Sequence, residues 1–207
     1  MAFPVDLPPG AYLHLPVLIQ EIKAGWSGIP YPSVLAAQVE QESRWKEKAK
    51  LDNPKNHELG VGLGQFTKTN RFDALTEMKD KYPSQFGDWG WHNPYDVRYQ
   101  LRGLVLKNRD NYRAIKWAKD DFNRMAMMGG AYNQGLGGMM MRKRICANTP
   151  GCDPAIWFGN MEFASNQSKK PQAGYKQSFA DITRNYVKNL MVIKREKYLF
   201  MDKEPAK

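Results

Sequence analysis

Apolar side chains recur along this chain at spacings of three and four, the repeat that one face of an α-helix imposes and a β-strand does not. Leu15, Leu18, Ile19, Ile22 and Trp26 form the first such stripe, with Pro16 near its start. A second helix follows Pro32-Ser33 and runs from Val34 to Trp45, with Leu35 and Val39 on one side and Val34, Gln38 and Glu42 on the adjacent row. Val97, Leu101, Leu104, Val105 and Asn108 make another stripe, and Phe122, Met125, Ala126 and Gly129 lead a further helix toward Tyr132-Asn133. Phe179, Ile182, Tyr186, Leu190 and Ile193 mark the last. Arg71 to Tyr82 also reads as helical, whereas Lys46 to Asn70 is polar and glycine-containing, a long loop with at most a short β-hairpin. Residues 83–94 form an aromatic-rich connection, glycines at 129–130, 135 and 137–138 punctuate a helix end, and residues 146–176 are loop-rich. Neither an internal repeat nor a low-complexity linker interrupts the pattern. It predicts a mainly α, helical single domain spanning 1–207, with an extended lead-in over 1–10 and a flexible tail over 200–207.

The formal charge of +10 favours anionic partners: nucleic acid, acidic headgroups or an anionic cell envelope. Trp89, Trp91 and Trp117 supply aromatics for a nucleic-acid reading, but no recognised binding motif accompanies them, so no specific nucleic acid is expected. The methionines at 125–128 and 139–141 read as core filler or adaptable groove wall. No apolar run approaches the roughly 20 residues of a membrane helix, and the N-terminus lacks a secretory signal. A substrate outside the cytoplasm therefore requires delivery by another agent. His14, His57 and His92 are scattered, so neither a metal nor another cofactor is expected. Cys146 and Cys152 flank a turn-like segment and stand either as a disulfide or as two thiols.

Four segments carry chemistry. Glu42 ends the second helix, where apolar flanks and the negative end of the helix dipole both favour a protonated carboxyl, as a general acid needs. Glu40 and Glu47 compete with it as ordinary surface glutamates. The turn Gly60-Val61-Gly62-Leu63-Gly64-Gln65-Phe66 permits close backbone approach, and Gln65 offers both donor and acceptor to a sugar. Ala131-Tyr132-Asn133-Gln134-Gly135 places an aromatic and an amide at a helix end, equally suited to stacking on a sugar ring or to capping. In Thr183-Arg184-Asn185-Tyr186-Val187-Lys188-Asn189, Tyr186 falls on the apolar stripe, where core packing is the ordinary role and the phenol requires a partner.

In this order, Glu42-Ser43, Gly62-Leu63-Gly64-Gln65, Ala131 to Gly135 and Thr183 to Asn189 resemble the motifs of the soluble lytic transglycosylases. The segment from Asn93-Pro94-Tyr95-Asp96 to Leu101-Arg102-Gly103 is similar to that family's mid-domain helix. The resemblance implies an α+β lysozyme-like fold with any hairpin beside an active-site cleft. It implies cleavage of the β-1,4 bond between N-acetylmuramic acid and N-acetylglucosamine in peptidoglycan, leaving 1,6-anhydromuramoyl ends. Glu42 would be general acid and then base, Ser43 and Gln65 would orient it and the glycan, and Phe66, Tyr132 and Asn133 would contact substrate. Tyr186 would hold its hydroxyl near the Glu42 carboxyl. Departures from the pattern are Gly64 in place of methionine, Ile182 in place of glutamate, and a longer, more polar segment from Asp80 to Asp121. They leave open a hydrolytic lysozyme using Asp52 or Glu58 as second carboxylate, or a non-catalytic peptidoglycan-binding virion protein. Basic charge, a muralytic site and no signal peptide together suggest a monomeric phage endolysin. It would be made in the host cytoplasm and act on the wall after release, or be carried by the virion.

Overall fold

The computed structural model describes residues 6–171 and 177–203. The chain is mainly helical, with one small antiparallel sheet, and it forms two compact units. The first comprises residues up to Lys107 together with those from Lys197 onward, and the second comprises Asn108–Glu196.

In the first unit, α1 (Pro9–Gly25) buries Leu15, Leu18 and Ile22 of the stripe its sequence predicts, together with Ala11, while Ile19 is half-buried and Trp26 caps the helix. Of the lead-in expected over 1–10, residues 1–5 lie outside the described chain, and the helix already begins at Pro9. Proline is favoured in a first helical turn because the backbone N–H it lacks would have no intrahelical partner there. The next helix, α2 (Pro32–Ser43), is enclosed nearly all round: Val34, Leu35, Ala36, Ala37 and Val39 are fully buried. A helix walled on every side is a core element rather than an amphipathic surface one.

The expected loop with at most a hairpin is in fact a three-stranded antiparallel meander. Its strands are β1 (Lys50–Asn53), β2 (Glu58–Val61) and β3 (Phe66–Lys68), in the order β1-β2-β3. Asp52 pairs with Leu59, and Val61 pairs with Phe66. A third strand forms because Phe66 is drawn into an aromatic cluster. Its ring meets Trp89 edge-on at 5.1 Å, and Leu75, Met78 and Phe86 complete the packing. Around that cluster, α3 (Ala74–Lys81) is capped by Asp73, whose Oδ1 accepts from Thr76 N at 3.0 Å. The short α4 (Pro83–Phe86) contributes Phe86.

The long α5 (Val97–Ala114) then packs closely through glycines on both sides of the interface. A Cβ on Gly103 would press into the Phe66 ring, and one on Gly25 would meet Val105 and Leu106. Glu21 of α1, 4% exposed, accepts from Arg98 Nε at 3.1 Å and Arg102 Nε at 2.8 Å. The chain returns to this unit at its end. The helical segment Arg195–Asp202 buries Tyr198 and Met201, and the Asp202 carboxylate accepts from both Ser33 N and Ser33 Oγ. The tail expected from residue 200 is therefore helical as far as Asp202, and residues 204–207 lie outside the described chain.

The second unit is built on α6 (Asp121–Gln134), α7 (Leu136–Ala147) and α8 (Phe179–Lys188), the last continuing as a wider π-helical turn over Asn189–Lys194. Gly129 and Gly130, expected to end a helix, instead lie inside α6. There a Cβ would crowd Leu190 in the first case and Met139 and Trp157 in the second. Their service is close approach rather than termination. α7 was not anticipated at all. Its buried residues Met139, Arg142 and Cys146 keep a helical spacing, but the middle one is an arginine. Arg142 is 1% exposed and donates to Gln134, Gln167 and the Met161 and Glu162 carbonyls, while burial, with Arg184 nearby, pulls its guanidinium down to about 10. Cys146 and Cys152 are disulfide-bonded, closing the end of α7.

Glu21 is the one acceptor serving both Arg98 and Arg102. Glu21→Ala removes the buried carboxylate that both guanidinium groups meet, though Arg102 keeps its bond to the Gln85 carbonyl, and the expected loss is about 2–3 kcal/mol of unfolding free energy. A fully enclosed pair would lose more, but Arg98 is 62% exposed and stays hydrated. Urea denaturation with an unchanged slope is the check, and a loss below half a kcal/mol would contradict it.

Candidate active site

Three glutamates lie within eight residues around the end of α2, and their surroundings separate them. Glu40 is buried, with Lys197 Nζ 2.7 Å from Oε1 and the Tyr198 hydroxyl 2.7 Å from Oε2. Glu47 stands in solvent, its carboxylate 3.9 Å from His14 Nε2. Glu42 is half-buried on the last turn, just before Ser43 closes the helix. The helix stops there because Arg44 takes the left-handed conformation, φ 53, and returns its N–H to the Glu40 carbonyl. Ser43 is buried, and its hydroxyl donates to the Val39 carbonyl at 3.0 Å, so it holds the helix end rather than reaching outward.

The glycine turn is fastened to the segment after α2. Gly62 N donates to the Ala49 carbonyl at 2.8 Å. Gln65, at φ 47, donates through Nε2 to Ala49 O at 3.2 Å and Gly62 O at 3.0 Å. Both amide hydrogens therefore brace the turn, and a ligand would meet the carbonyl Oε1. That oxygen rests against the Gly60 α-carbon, where a Cβ would come within 2.8 Å of it. Gly62 has φ +76 and leaves no room for a Cβ against the Gln100 amide.

Gln100 is a residue the sequence reasoning passed over. It is fully buried on α5, accepts from Gly64 N at 3.0 Å and donates to the Pro94 carbonyl at 2.6 Å. A polar side chain next to Leu101 on an otherwise apolar helix face was the only available sign. Lys107 is the second such residue. Burial pulls its ammonium below the usual lysine range, while Glu77 and Glu42 pull it back up. Its Nζ also sits 5.4 Å from the Phe72 ring centroid. Gln100, Gly103 and Lys107 fall at i, i+3 and i+7 of α5, so one helix face braces the glycine turn, receives Phe66 and presents the lysine coupled to Glu42.

Phe66 was expected to touch substrate, but it is 2% exposed and locked beneath Trp89. It is a floor residue of the core and has no free face for a glycan. Asp52 is solvent-exposed and lies 2.9 Å from Lys50, its neighbour but one on β1. Glu58 is half-buried and pairs with Asn53 across β1 and β2. Trp89, an aromatic of the nucleic-acid reading, is fully buried, and Trp91 donates to Asp73 Oδ2 at 2.8 Å.

The remaining motif residues belong to the second unit. Tyr132 is half-buried and Asn133 exposed, both on the last turn of α6. Thr183, almost fully buried on α8, donates from Oγ1 to Asn133 Oδ1 at 2.9 Å. That bond joins two of the sequence motifs directly. Tyr186 is 5% exposed on the apolar stripe of α8.

Among the described residues, no group of three His, Cys, Asp or Glu side chains is arranged to hold a metal ion. No described helix is long and apolar enough to cross a membrane. No family model matches the chain, and no curated protein matches it.

The coupling between Glu42 and Lys107 has a measurable sign. The Glu42 carboxylate favours the charged lysine, so in Glu42→Gln the Lys107 ammonium is expected to titrate at lower pH than in the parent. NMR detection of the lysine side-chain nitrogen across the alkaline range reads this directly. An unchanged titration would show that the two groups do not interact.

Proposed function

We propose that the protein is a peptidoglycan-cleaving enzyme acting on the β-1,4 bond between N-acetylmuramic acid and N-acetylglucosamine, with lytic transglycosylase chemistry. The observation that carries this reading is the separation of the three glutamates. Glu40 is consumed by a buried ion pair and Glu47 is solvated, whereas Glu42 is half-buried at the end of α2, in the unit that holds the braced glycine turn. The ordered sequence motifs, and the Thr183–Asn133 bond joining two of them, lend further support.

In this reading Glu42 gives its proton to the glycosidic oxygen as the bond to the muramoyl C1 breaks. The resulting carboxylate then takes the proton of the muramoyl 6-hydroxyl as that oxygen bonds to C1. One carboxyl group thus serves as acid and base, and the product is a 1,6-anhydro end. Tyr132 offers a ring for a sugar face, and Asn133 offers an amide to an acetamido group. The biological setting that suits such an enzyme is the opening of a bacterial wall by a phage-type endolysin.

Purified peptidoglycan incubated with the protein is expected to release muropeptides with anhydro ends, identified by mass. Glu42→Gln is expected to lower the rate by about 10²–10⁴-fold, the usual contribution of a positioned general acid. Lysis by the variant at the parent rate would refute the assignment, and reducing ends in place of anhydro ends would assign hydrolysis instead.

The charge of +10 predicts a second behaviour. Attraction to an anionic envelope is screened by salt, so lysis of whole cell walls should slow as ionic strength rises from 0.01 to 0.15 M (Debye length from about 30 to about 8 Å). Turnover of a short soluble oligomer of alternating N-acetylglucosamine and N-acetylmuramic acid, which carries only a few charges, should change much less over the same range. Salt-insensitive lysis of walls would remove the surface role.

A further inference from the structure

The buried assembly around Glu40 brackets Glu42 in the sequence. On one side, two residues before Glu42, the Glu40 carboxylate accepts from the Tyr198 hydroxyl at 2.7 Å. On the other side, three residues after it, Trp45 donates from Nε1 to the same hydroxyl at 2.8 Å. One phenol oxygen therefore ties both flanks of the Glu42 turn. Tyr198 is 0% exposed, Trp45 is 1% exposed, and their ring centroids lie 6.1 Å apart.

The turn so held is not one the chain would adopt unaided. Arg44 and Trp45 both lie in the left-handed region, at φ 53 and 61, and a bulky side chain there is a real backbone outlier. Gly10 backs the arrangement, because a Cβ at that position would overlap the Trp45 carbonyl oxygen. Without these restraints α2 would tend to run on past Ser43 in the right-handed conformation.

The consequence reaches the glycine turn. Trp45 leads through Lys46, whose N–H bonds to the Ser43 carbonyl, to Ala49, whose N–H bonds to the Lys46 carbonyl. The Ala49 carbonyl is the acceptor for both Gly62 N and Gln65 Nε2. The path from the end of α2 to Gln65 thus passes through the turn that Tyr198 fixes. Burial, and then the Glu40 carboxylate, push the Tyr198 phenol far above its ordinary range, so it remains a donor at any working pH.

We propose that Tyr198 is a positioning residue for the reaction: by joining Glu40 to Trp45 it fixes the Glu42 turn relative to the Gln65 turn. The proposal rests on the reading of Glu42 as the acid. Tyr198 touches neither substrate nor proton, and its effect is exerted wholly through the geometry of those two segments.

The test uses the full chain and a soluble oligomer of alternating N-acetylglucosamine and N-acetylmuramic acid. Tyr198→Phe keeps the ring and removes the shared hydroxyl. It is expected to lower kcat by about tenfold to a hundredfold, the range a small misplacement of a catalytic group costs, with KM within about twofold of the parent. Trp45→Phe should show the same split, and the double variant should fall little further than either alone, because both break one linkage. Should Tyr198→Phe not accumulate folded, Glu40→Gln provides the same reading, since it weakens the other end of the linkage and keeps side-chain volume. A parent kcat in Tyr198→Phe, even with a lowered melting temperature, would overturn the proposal and leave the phenol a stability element. So would a rise in KM at parent kcat. Glu42→Gln is run beside them: if it is inactive while Tyr198→Phe keeps parent kcat, only the positioning role falls. Parent-level turnover by Glu42→Gln would remove the acid assignment and the positioning role together.

Discussion

A carboxylate taken out of water must be met by charge and hydrogen bonds, and in the first unit that condition is imposed by Glu40 on the end of the chain. Lys197 and Tyr198 reach its two oxygens, and Asp202 a few residues on accepts from Ser33 at the start of the same helix. Removing Lys197 or Tyr198 would take a charge or a hydrogen bond from a buried carboxylate, so the two contacts support each other. The helix Pro32–Ser43 is thereby gripped near both ends by residues Lys197–Asp202, while its flanks are filled by small and branched apolar side chains. Everything attached to the end of that helix inherits its fixity: the left-handed turn at Arg44 and Trp45, the Ala49 carbonyl, and the glycine turn seated on it.

The second unit meets the same physical problem with the opposite charge and a different answer. Arg142 is as deeply buried as Glu40, yet its described hydrogen bonds run to two glutamine side chains and two backbone carbonyls rather than to a carboxylate. The Trp157 ring lies 5.7 Å from the guanidinium and adds its π face. Neutral acceptors satisfy the donors one by one while leaving the charge in place, which is why burial lowers this guanidinium at all. The arginine ties α7 to the irregular segment after Trp157, and the nearby disulfide fixes the other end of that helix.

Where burial follows apolar spacing, the sequence could be read. The stripes at Leu15–Ile22 and Val97–Val105 became helices with little adjustment. The one from Phe179 buries Tyr186 and Leu190 but leaves Phe179 and Ile193 exposed, and it changes to a π-helical turn after Lys188. The α7 stripe escaped because its central member is Arg142, a residue whose place in a core depends on acceptors far along the chain. The third strand escaped because three residues are too few to show alternation, and Phe66 joins it only through Trp89 and Gly103. At the candidate site, Glu42 could be singled out by its position near a helix end that precedes a glycine turn. Its advantage over Glu40 could not be read, because the group that claims Glu40 lies 158 residues away. Gln65 and Phe66 illustrate the same limit: the first spends its amide hydrogens on its own turn, and the second faces inward. Gln100 and Lys107 carried no local signal beyond being polar on an apolar helix face.

The division of the first unit between residues up to Lys107 and residues from Lys197 onward has a consequence in time. A ribosome makes a chain from its N-terminus, so the whole of Asn108–Glu196 leaves the exit tunnel before Lys197 and Tyr198 do. Until those two arrive, Glu40 lacks the ammonium and the phenol that reach its two oxygens, and the turn bearing Glu42 lacks the hydroxyl that ties its two flanks. Closing the end of α2 therefore waits on residues made after the whole of Asn108–Glu196.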